Sequence, residues 1–101
     1  MSKLTCRISK KAVEDLEKIW IYTYENWSIE QADRYYNLII NEIEFIAENF
    51  MSGKSMKYIK KGYRASKVKS HLIFYRKVDD CQVEIIRVLH QSMDIENRLK
   101  D

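Results

Sequence analysis

The stretch SHLIFYRKVDDCQVEIIRVLH, residues 70–90, decides the fold class of this 101-residue chain. Apolar residues alternate or run together on both sides of Asp79-Asp80, a dipeptide typical of a tight turn. β-Branched and aromatic residues dominate both halves, and such a composition favours strands. We therefore predict two antiparallel strands, Ser70–Val78 and Gln82–His90, joined by a short turn.

The segments on either side of this hairpin extend the sheet and close the chain. A two-residue period predicts a further strand over Ile59–Val68, interrupted near Gly62. Beyond the hairpin, Met93–Leu99 is predicted to form a short terminal helix or tail. The second half of the chain is therefore expected to be an antiparallel β-meander.

The first half follows a helical period instead. Apolar residues at i, i+4 and i+7 predict a helix over Lys10–Asn26 that begins after an N-cap at Ser9. A second helix is predicted to begin after Ser28, which starts a capping-box pattern, and to end near Ser52-Gly53. Because few residues separate the two helices, they should form an antiparallel hairpin. Trp20 and Trp27 are expected in its core.

A short strand, Leu4–Ile8, precedes the helices, since apolar and polar residues alternate there. The predicted order is strand, helix, helix and meander. Helices and sheet are therefore segregated, which defines an α+β fold. The length fits a single domain over residues 1–101.

Composition excludes several classes of protein. Hydrophobic residues make up 46% and charged residues 33%, which argues against disorder. No apolar run approaches the roughly 18 residues of a membrane span, and the N-terminus lacks the apolar core of a secretory signal. We therefore expect a cytoplasmic protein without membrane contact. Cys6 and Cys81 are expected to be buried structural residues, and neither they nor the two histidines have metal-ligand spacing, so no metal or cofactor is expected.

Charge is unevenly distributed although the net charge is only +3. Residues 1–50 carry six Lys/Arg and nine Asp/Glu, whereas residues 51–101 carry twelve and six. The stretch from Lys54 to Val78 holds nine basic residues and no acid. Such a stretch creates a positive field that attracts a polyanion or an acidic protein. A solvated basic face without a dedicated partner is the alternative.

The two strongest strands are apolar on both faces, although a helical hairpin can cover only one face of a sheet. The other face would leave either Ile73 and Tyr75 or Leu72 and Phe74 exposed, unless something else covers them. One hypothesis is that another protein packs there. The alternative is that the chain's own C-terminal tail covers this face.

Three blocks in the second half resemble the ParE toxins of the RelE/ParE superfamily. They are residues 62–64 (GYR), 70–76 (SHLIFYR) and 86–94 (IRVLHQSMD). The first half agrees more loosely, through Asp15-Leu16, Ile19 and Tyr22 in the first helix and Ala32, Tyr35 and Leu38 in the second. Two departures concern turns, since Phe50-Met51-Ser52 lacks a proline common in the family and Lys69 stands where a glycine is common.

The resemblance implies a toxin of a type II toxin–antitoxin system that inhibits DNA gyrase and stabilises its cleaved-DNA complex. It also implies a ParD-type or related antitoxin that wraps the toxin in a hetero-oligomer, folding as it binds. On this interpretation the chain is a binding poison and not an enzyme. The residues expected to contact the target are Lys60, Lys61, Arg64, Arg87, His90, Met93 and Asp94; those expected to contact the antitoxin are Ile73, Tyr75, Tyr24 and Tyr36.

Two other functions stay open. A RelE-like ribonuclease that cuts mRNA on the ribosome would need a proton shuttle and cations for the phosphate, and Arg64, Arg87 and His90 are the residues that supply them. Arg64 and Arg87 could converge if their strands are neighbours. The alternative is that both are structural residues in ion pairs with Glu84 or Asp94. An inactive module that binds antitoxin or nucleic acid is a minor alternative, since no interleaved aromatic signature is apparent in the lysine-rich stretch.

Overall fold

The computed structural model describes residues 4–100. In this structure both helices of the hairpin begin where the sequence predicts. Ser9 accepts a hydrogen bond from the Ala12 amide at 3.0 Å and caps helix α1, Lys10–Asn26. Ser28 accepts one from the Gln31 amide at 3.1 Å and caps helix α2, Ile29–Glu48. Each cap satisfies an amide that has no partner within its helix.

The end of α2 differs from the prediction. The helix stops at Glu48 and is followed by a separate 3₁₀ turn, Phe50–Ser52, before the chain reaches Gly53. The Gly53 amide donates to the Tyr75 hydroxyl at 3.0 Å, and that hydroxyl donates to the Phe50 carbonyl at 2.8 Å. A Cβ at position 53 would overlap the same hydroxyl. Glycine is therefore required here by close packing.

The sheet has five strands in the order β1-β5-β4-β3-β2. The strands are β1 Thr5–Ile8, β2 Lys54–Ser55, β3 Arg64–Val68, β4 His71–Asp79 and β5 Gln82–His90, and a short helix α3, Ile95–Lys100, follows. β2 to β5 form the predicted antiparallel meander. β1, however, pairs with β5 in parallel, so the N-terminal strand forms one edge of the sheet.

The third strand begins at Arg64, five residues later than predicted, because the preceding residues turn. The Met56 amide donates to the Tyr63 carbonyl at 2.8 Å and so continues the pairing of β2 with β3. Residues 57–62, which we call the basic loop, project beyond this pair. Gly62 adopts φ 85°, which only glycine adopts without strain. Lys69 adopts φ 54° in the next turn, the position where the resemblance leads us to expect glycine.

The sheet buries both of its faces within the chain. Leu16 of α1, with Ile39 and Ile43 of α2, packs against Ile73 and Tyr75 on one face. Both of these sheet residues have 0% exposure, so the expectation that Ile73 and Tyr75 contact an antitoxin is wrong.

On the second face, Phe74 and Leu89 lie beneath Met56, Tyr63 and Leu99. Met56 and Tyr63, which flank the basic loop, and Leu99 of α3 thus cover this face, so the C-terminal tail provides only part of the cover that the alternative assigned to it. The hypothesis that a separate protein is needed to cover it is wrong.

Three further expectations about burial are wrong. Trp27 is 67% exposed at the end of α1, and both Cys6 and Cys81 are exposed and form no disulfide. Trp27 is the C-cap residue of α1, one turn beyond Thr23, the last half-buried residue of that helix. Among residues 4–100, no helix combines the length and apolarity of a membrane span.

Candidate functional site

The site begins where β5 outlasts its neighbour β1. β1 ends at Ile8, opposite Ile85, and the next residues of β5 have no strand partner on that side. The start of α1 replaces it. The Ser9 hydroxyl donates to the Ile86 carbonyl at 2.8 Å, and Asp15 accepts the Val88 amide at 3.0 Å. Side chains at the start of a helix therefore supply the hydrogen bonds that a longer β1 would have made.

Asp15 also holds Arg87 in a bidentate ion pair. The guanidinium Nε and Nη2 lie 2.8 and 2.9 Å from the two carboxylate oxygens, and its Nη1 lies 3.3 Å from the Arg98 carbonyl. The side chains of Arg87 and Asp15 are 12% and 8% exposed. The pair therefore joins α1, β5 and α3 at one point. This geometry marks Arg87 first as a structural residue.

An open groove of about 930 Å³ lies next to this ion pair. We call it the hairpin groove; its walls come from α1, the start of α2, the start of β4, the end of β5, the segment before α3 and α3 itself. Tyr22, Trp27 and Met93 stand on its rim and are 66%, 67% and 40% exposed. Lys18 and Arg98 also line it. The groove thus combines exposed apolar side chains with positive charge.

Two histidines and a tyrosine occupy its floor. His71 and His90 face each other across β4 and β5, with ring centroids 5.2 Å apart. The Tyr35 hydroxyl lies 3.2 Å from the Val68 carbonyl and 2.6 Å from His71 Nδ1. Because a carbonyl only accepts, the hydroxyl donates to Val68 and accepts a hydrogen bond from His71 Nδ1. His71 is thereby assigned a proton on Nδ1.

His90 Nδ1 takes the opposite hydrogen-bonding role, since it accepts the Ser92 amide at 3.1 Å. Burial lowers the pKa of His71 to about 4, the positive charge that His90 can carry acts in the same direction, and Asp15 acts in the opposite one. Near neutral pH the groove floor therefore offers hydrogen-bonding groups and no charged imidazole from His71.

The lowered pKa of His71 predicts that acid destabilises the fold. The unfolded residue titrates near 6.5 and the folded one near 4, so the unfolded chain binds more protons between these values. The contribution of neutral His71 to the free energy of unfolding should be fully present above about pH 6.5 and should be lost as the pH falls towards 4. In urea unfolding, a His71→Gln variant should lose less stability than the wild type over this range. Equal losses in the two proteins would contradict the assignment.

The ribonuclease residues do not converge. β4 lies between the strands of Arg64 and Arg87, so the condition for their meeting is not met. Arg64 donates to the Met51 and Gly53 carbonyls at 3.0 and 2.7 Å, away from the groove floor. Of the three residues, only Arg87 and His90 line the hairpin groove. The expected ion pairs are also wrong, since Arg87 pairs with Asp15 and the Arg64 guanidinium binds carbonyl oxygens.

The other residues expected to contact a target are dispersed. Lys60 and Lys61 are exposed in the basic loop, whereas Met93 lies on the groove rim. Asp94 is exposed, and its carboxylate accepts the Asn97 side-chain amide at 2.6 Å at the start of α3. The structure thus divides these residues between the groove and the basic loop, and their contact with a target stays a prediction.

Tyr24 and Tyr36, the other residues expected to contact an antitoxin, are accessible but lie outside the groove. Tyr24 is 46% exposed and stacks on Trp20 at a centroid distance of 5.4 Å. Tyr36 is 38% exposed and lines a smaller depression with Trp20 and Ile21. These residues form a separate outer face of the helical hairpin.

Sequence reasoning missed Asp15 as a paired residue, although a signal was available. Asp15 lies between Ala12, Leu16 and Ile19 on the apolar stripe of α1, and a carboxylate there needs a partner when buried. Tyr22 and Trp27 gave no such signal, because nothing in their local sequence indicates that both are exposed. Among residues 4–100, no group of three His, Cys, Asp or Glu side chains is arranged to hold a metal ion.

Comparison with known proteins gives a consistent result. Residues 6–95 match the family model described as the ParE toxin of type II toxin–antitoxin systems, parDE. The chain is 43% identical over 88 residues to Toxin ParE1 of Caulobacter vibrioides, covering 87% of this chain and 90% of that protein. It is 36% identical over 92 residues to Toxin ParE1 of Mycobacterium tuberculosis, covering 91% and 94%.

Solved structures share the fold. A chain of the chromosomal ParDE toxin–antitoxin system from P. aeruginosa superposes with a TM-score of 0.74 at 18% identity, covering 87% of this chain and 96% of that one. A chain of the toxin–antitoxin complex RelBE2 from Mycobacterium tuberculosis gives 0.64 at 22% identity, covering 88% and 99%. At these identities the likeness concerns the fold, and it agrees with the predicted α+β class.

Proposed function

Because the chain belongs to the ParE toxin family of type II toxin–antitoxin systems, we propose that it works by binding two proteins at the hairpin groove. One is an antitoxin that silences it. The other is DNA gyrase, whose cleaved-DNA complex it stabilises. The groove, open and rimmed by exposed aromatic residues, is the observation that carries this proposal.

The antitoxin assignment is supported by the chemistry of the groove. Tyr22 and Trp27 offer large apolar surfaces that favour burial against a partner. Lys18 and Arg98 add positive charge at the same place. A segment of mixed acidic and apolar residues fits this lining, and such a segment is disordered alone and folds on binding. The structures that share the fold belong to toxin–antitoxin systems.

A binding mechanism also fits the polar groups of the groove better than bond cleavage does. Arg87 is occupied by Asp15, and His71 is neutral and engaged with Tyr35. Phosphate cleavage needs a cation and an acid–base pair directed at one substrate position. Arg64, the second arginine of the ribonuclease set, binds backbone carbonyls elsewhere. We therefore propose no catalytic role for Arg64, Arg87 or His90.

The proposed target is tested by incubating the purified chain with gyrase, ATP and supercoiled plasmid. Linear DNA should accumulate after protein digestion, and excess antitoxin should prevent it. Met93→Ala should require about tenfold more toxin, because it removes an exposed apolar side chain from the groove rim. Met51→Ala is the matched control, since Met51 is 71% exposed and lies outside the groove.

A parallel reaction with translating ribosomes tests the alternative function. Intact plasmid together with mRNA cut at codon boundaries would overturn the gyrase proposal and favour a ribonuclease. Equal activity of Met93→Ala and Met51→Ala would instead show that Met93 does not contribute to the gyrase contact. It would not contradict gyrase as the target.

A further inference from the structure

The basic loop is an anchored element that presents most of its side chains to solvent. It is closed at its base by the bond from the Met56 amide to the Tyr63 carbonyl, and the Ile59 and Lys60 amides both donate to the Met56 carbonyl, at 2.9 and 3.1 Å. Met56, Tyr63 and Ile59 belong to the apolar cluster on the second face of the sheet. The loop is therefore held through these three side chains, while its other side chains are exposed and the Lys60 ammonium lies 5.4 Å from the Tyr63 ring centroid.

Its outward residues combine positive charge with an aromatic ring. Lys57, Lys60 and Lys61 are exposed, and Tyr58 between them is 71% exposed. The Tyr58 hydroxyl donates to Met56 Sδ at 3.8 Å, and most of the side chain remains accessible to a ligand. The sequence pattern was interpreted above as having no aromatic signature interleaved with the lysines of this stretch. The folded loop supplies one such ring.

Nothing in the described chain neutralises this charge. The ion pairs found among residues 4–100 involve Arg7, Arg76 and Arg87 and no lysine. No acidic residue occurs between positions 51 and 78. The loop therefore carries a concentrated positive field that an anionic ligand would relieve.

We propose that the basic loop binds unpaired nucleic acid, with a base stacked on Tyr58 and the flanking phosphates held by Lys57, Lys60 and Lys61. Lysines bind the phosphate backbone without reading sequence, and an exposed aromatic ring stacks on any base. A folded duplex would satisfy the lysines but would leave the tyrosine face without a ligand. An acidic peptide would likewise offer charge without flat aromatic surface.

This inference is independent of the gyrase proposal, because the loop lies apart from the hairpin groove and its binding needs no second protein. The test uses the purified full chain and fluorescence anisotropy of labelled single-stranded oligonucleotides of about 12 nucleotides, one of DNA and one of RNA. Heparin and a duplex of the same length serve as polyanions without accessible base faces. Tighter binding of the DNA or of the RNA strand would identify the source of the ligand, and either supports the proposal.

Tyr58→Ala should weaken binding of the single strands about tenfold and leave heparin binding unchanged. Tyr58→Phe should retain the wild-type affinity, because it keeps the ring. Lys60→Ala combined with Lys61→Ala should weaken binding and lower the salt dependence by about 0.7 in log–log slope for each phosphate that is no longer bound. Lys10→Ala with Lys11→Ala, an exposed pair at the start of α1, is the matched control.

Unchanged affinity of Tyr58→Ala for the single strands would overturn the proposal. So would an equal reduction of heparin and oligonucleotide binding in that variant, since the ring would then have no specific role. Circular dichroism of each variant verifies that the fold is retained.

Discussion

Replacing Asp15 with alanine should lower the free energy of unfolding by about 3–5 kcal/mol. The carboxylate neutralises Arg87, whose side chain is only 12% exposed, and it accepts the Val88 amide. Its removal leaves a largely buried guanidinium and a buried amide without these bonds. Domains of this size are stable by only about 5–15 kcal/mol, so the reduction is a large part of the total. Urea unfolding monitored by circular dichroism measures it.

Two variants control this measurement. Glu14→Ala removes an exposed acid from the same turn of α1 and should change stability by less than about 0.5 kcal/mol. Asp15→Asn keeps an oxygen for the Val88 amide and should fall between the two. If Asp15→Ala were as stable as Glu14→Ala, the ion pair would contribute nothing to the fold.

The same reasoning changes how toxicity data on Arg87 should be interpreted. Arg87 is expected from the sequence to contact the target, but its side chain is held by Asp15 and touches the Arg98 carbonyl. Arg87→Ala therefore acts on the junction of α1, β5 and α3 before it acts on any partner. Reduced toxicity is informative about the target only if the variant remains folded and still binds antitoxin.

Local patterns were sufficient to predict the helices and the hairpin strands. The N-caps Ser9 and Ser28 and the strand Gln82–His90 are found as predicted, because capping and two-residue alternation act within a few residues. The loop that replaces the start of the third strand was missed. Its shape depends on Gly62 and on Met56 and Tyr63 packing against the second sheet face, contacts that no local pattern describes.

The candidate site depended on long-range pairing and was predicted less well. The parallel pairing of β1 with β5 brings α1 to the end of β5, and only then does Asp15 meet Arg87. Both sheet faces are already covered within the chain, so Ile73 and Tyr75 offer no accessible surface to a partner in this structure. The apolar residues available to a partner are therefore Tyr22 and Trp27, and not Ile73 and Tyr75 as expected from the sequence.

Because Trp27 is an accessible apolar residue of the groove, we expect Trp27→Ala to weaken antitoxin binding about 30- to 100-fold. Trp27 is 67% exposed on the groove rim, so its burial against a partner would stabilise the complex. The stability of the free toxin depends little on this side chain. The melting temperature of the variant should accordingly stay close to that of the wild type. Calorimetric titration with antitoxin, taken from the short reading frame expected beside the toxin gene, measures the affinity.

Tyr24→Ala is the matched control, because Tyr24 is an exposed aromatic residue of the same helix that lies on the outer face of the hairpin. Its affinity for antitoxin should change by less than about threefold, since Tyr24 does not line the groove. The reverse result, with Tyr24→Ala impaired and Trp27→Ala unaffected, would place the antitoxin on the outer face. It would then restore the expectation that Tyr24 and Tyr36 bind the antitoxin and leave the hairpin groove for gyrase alone.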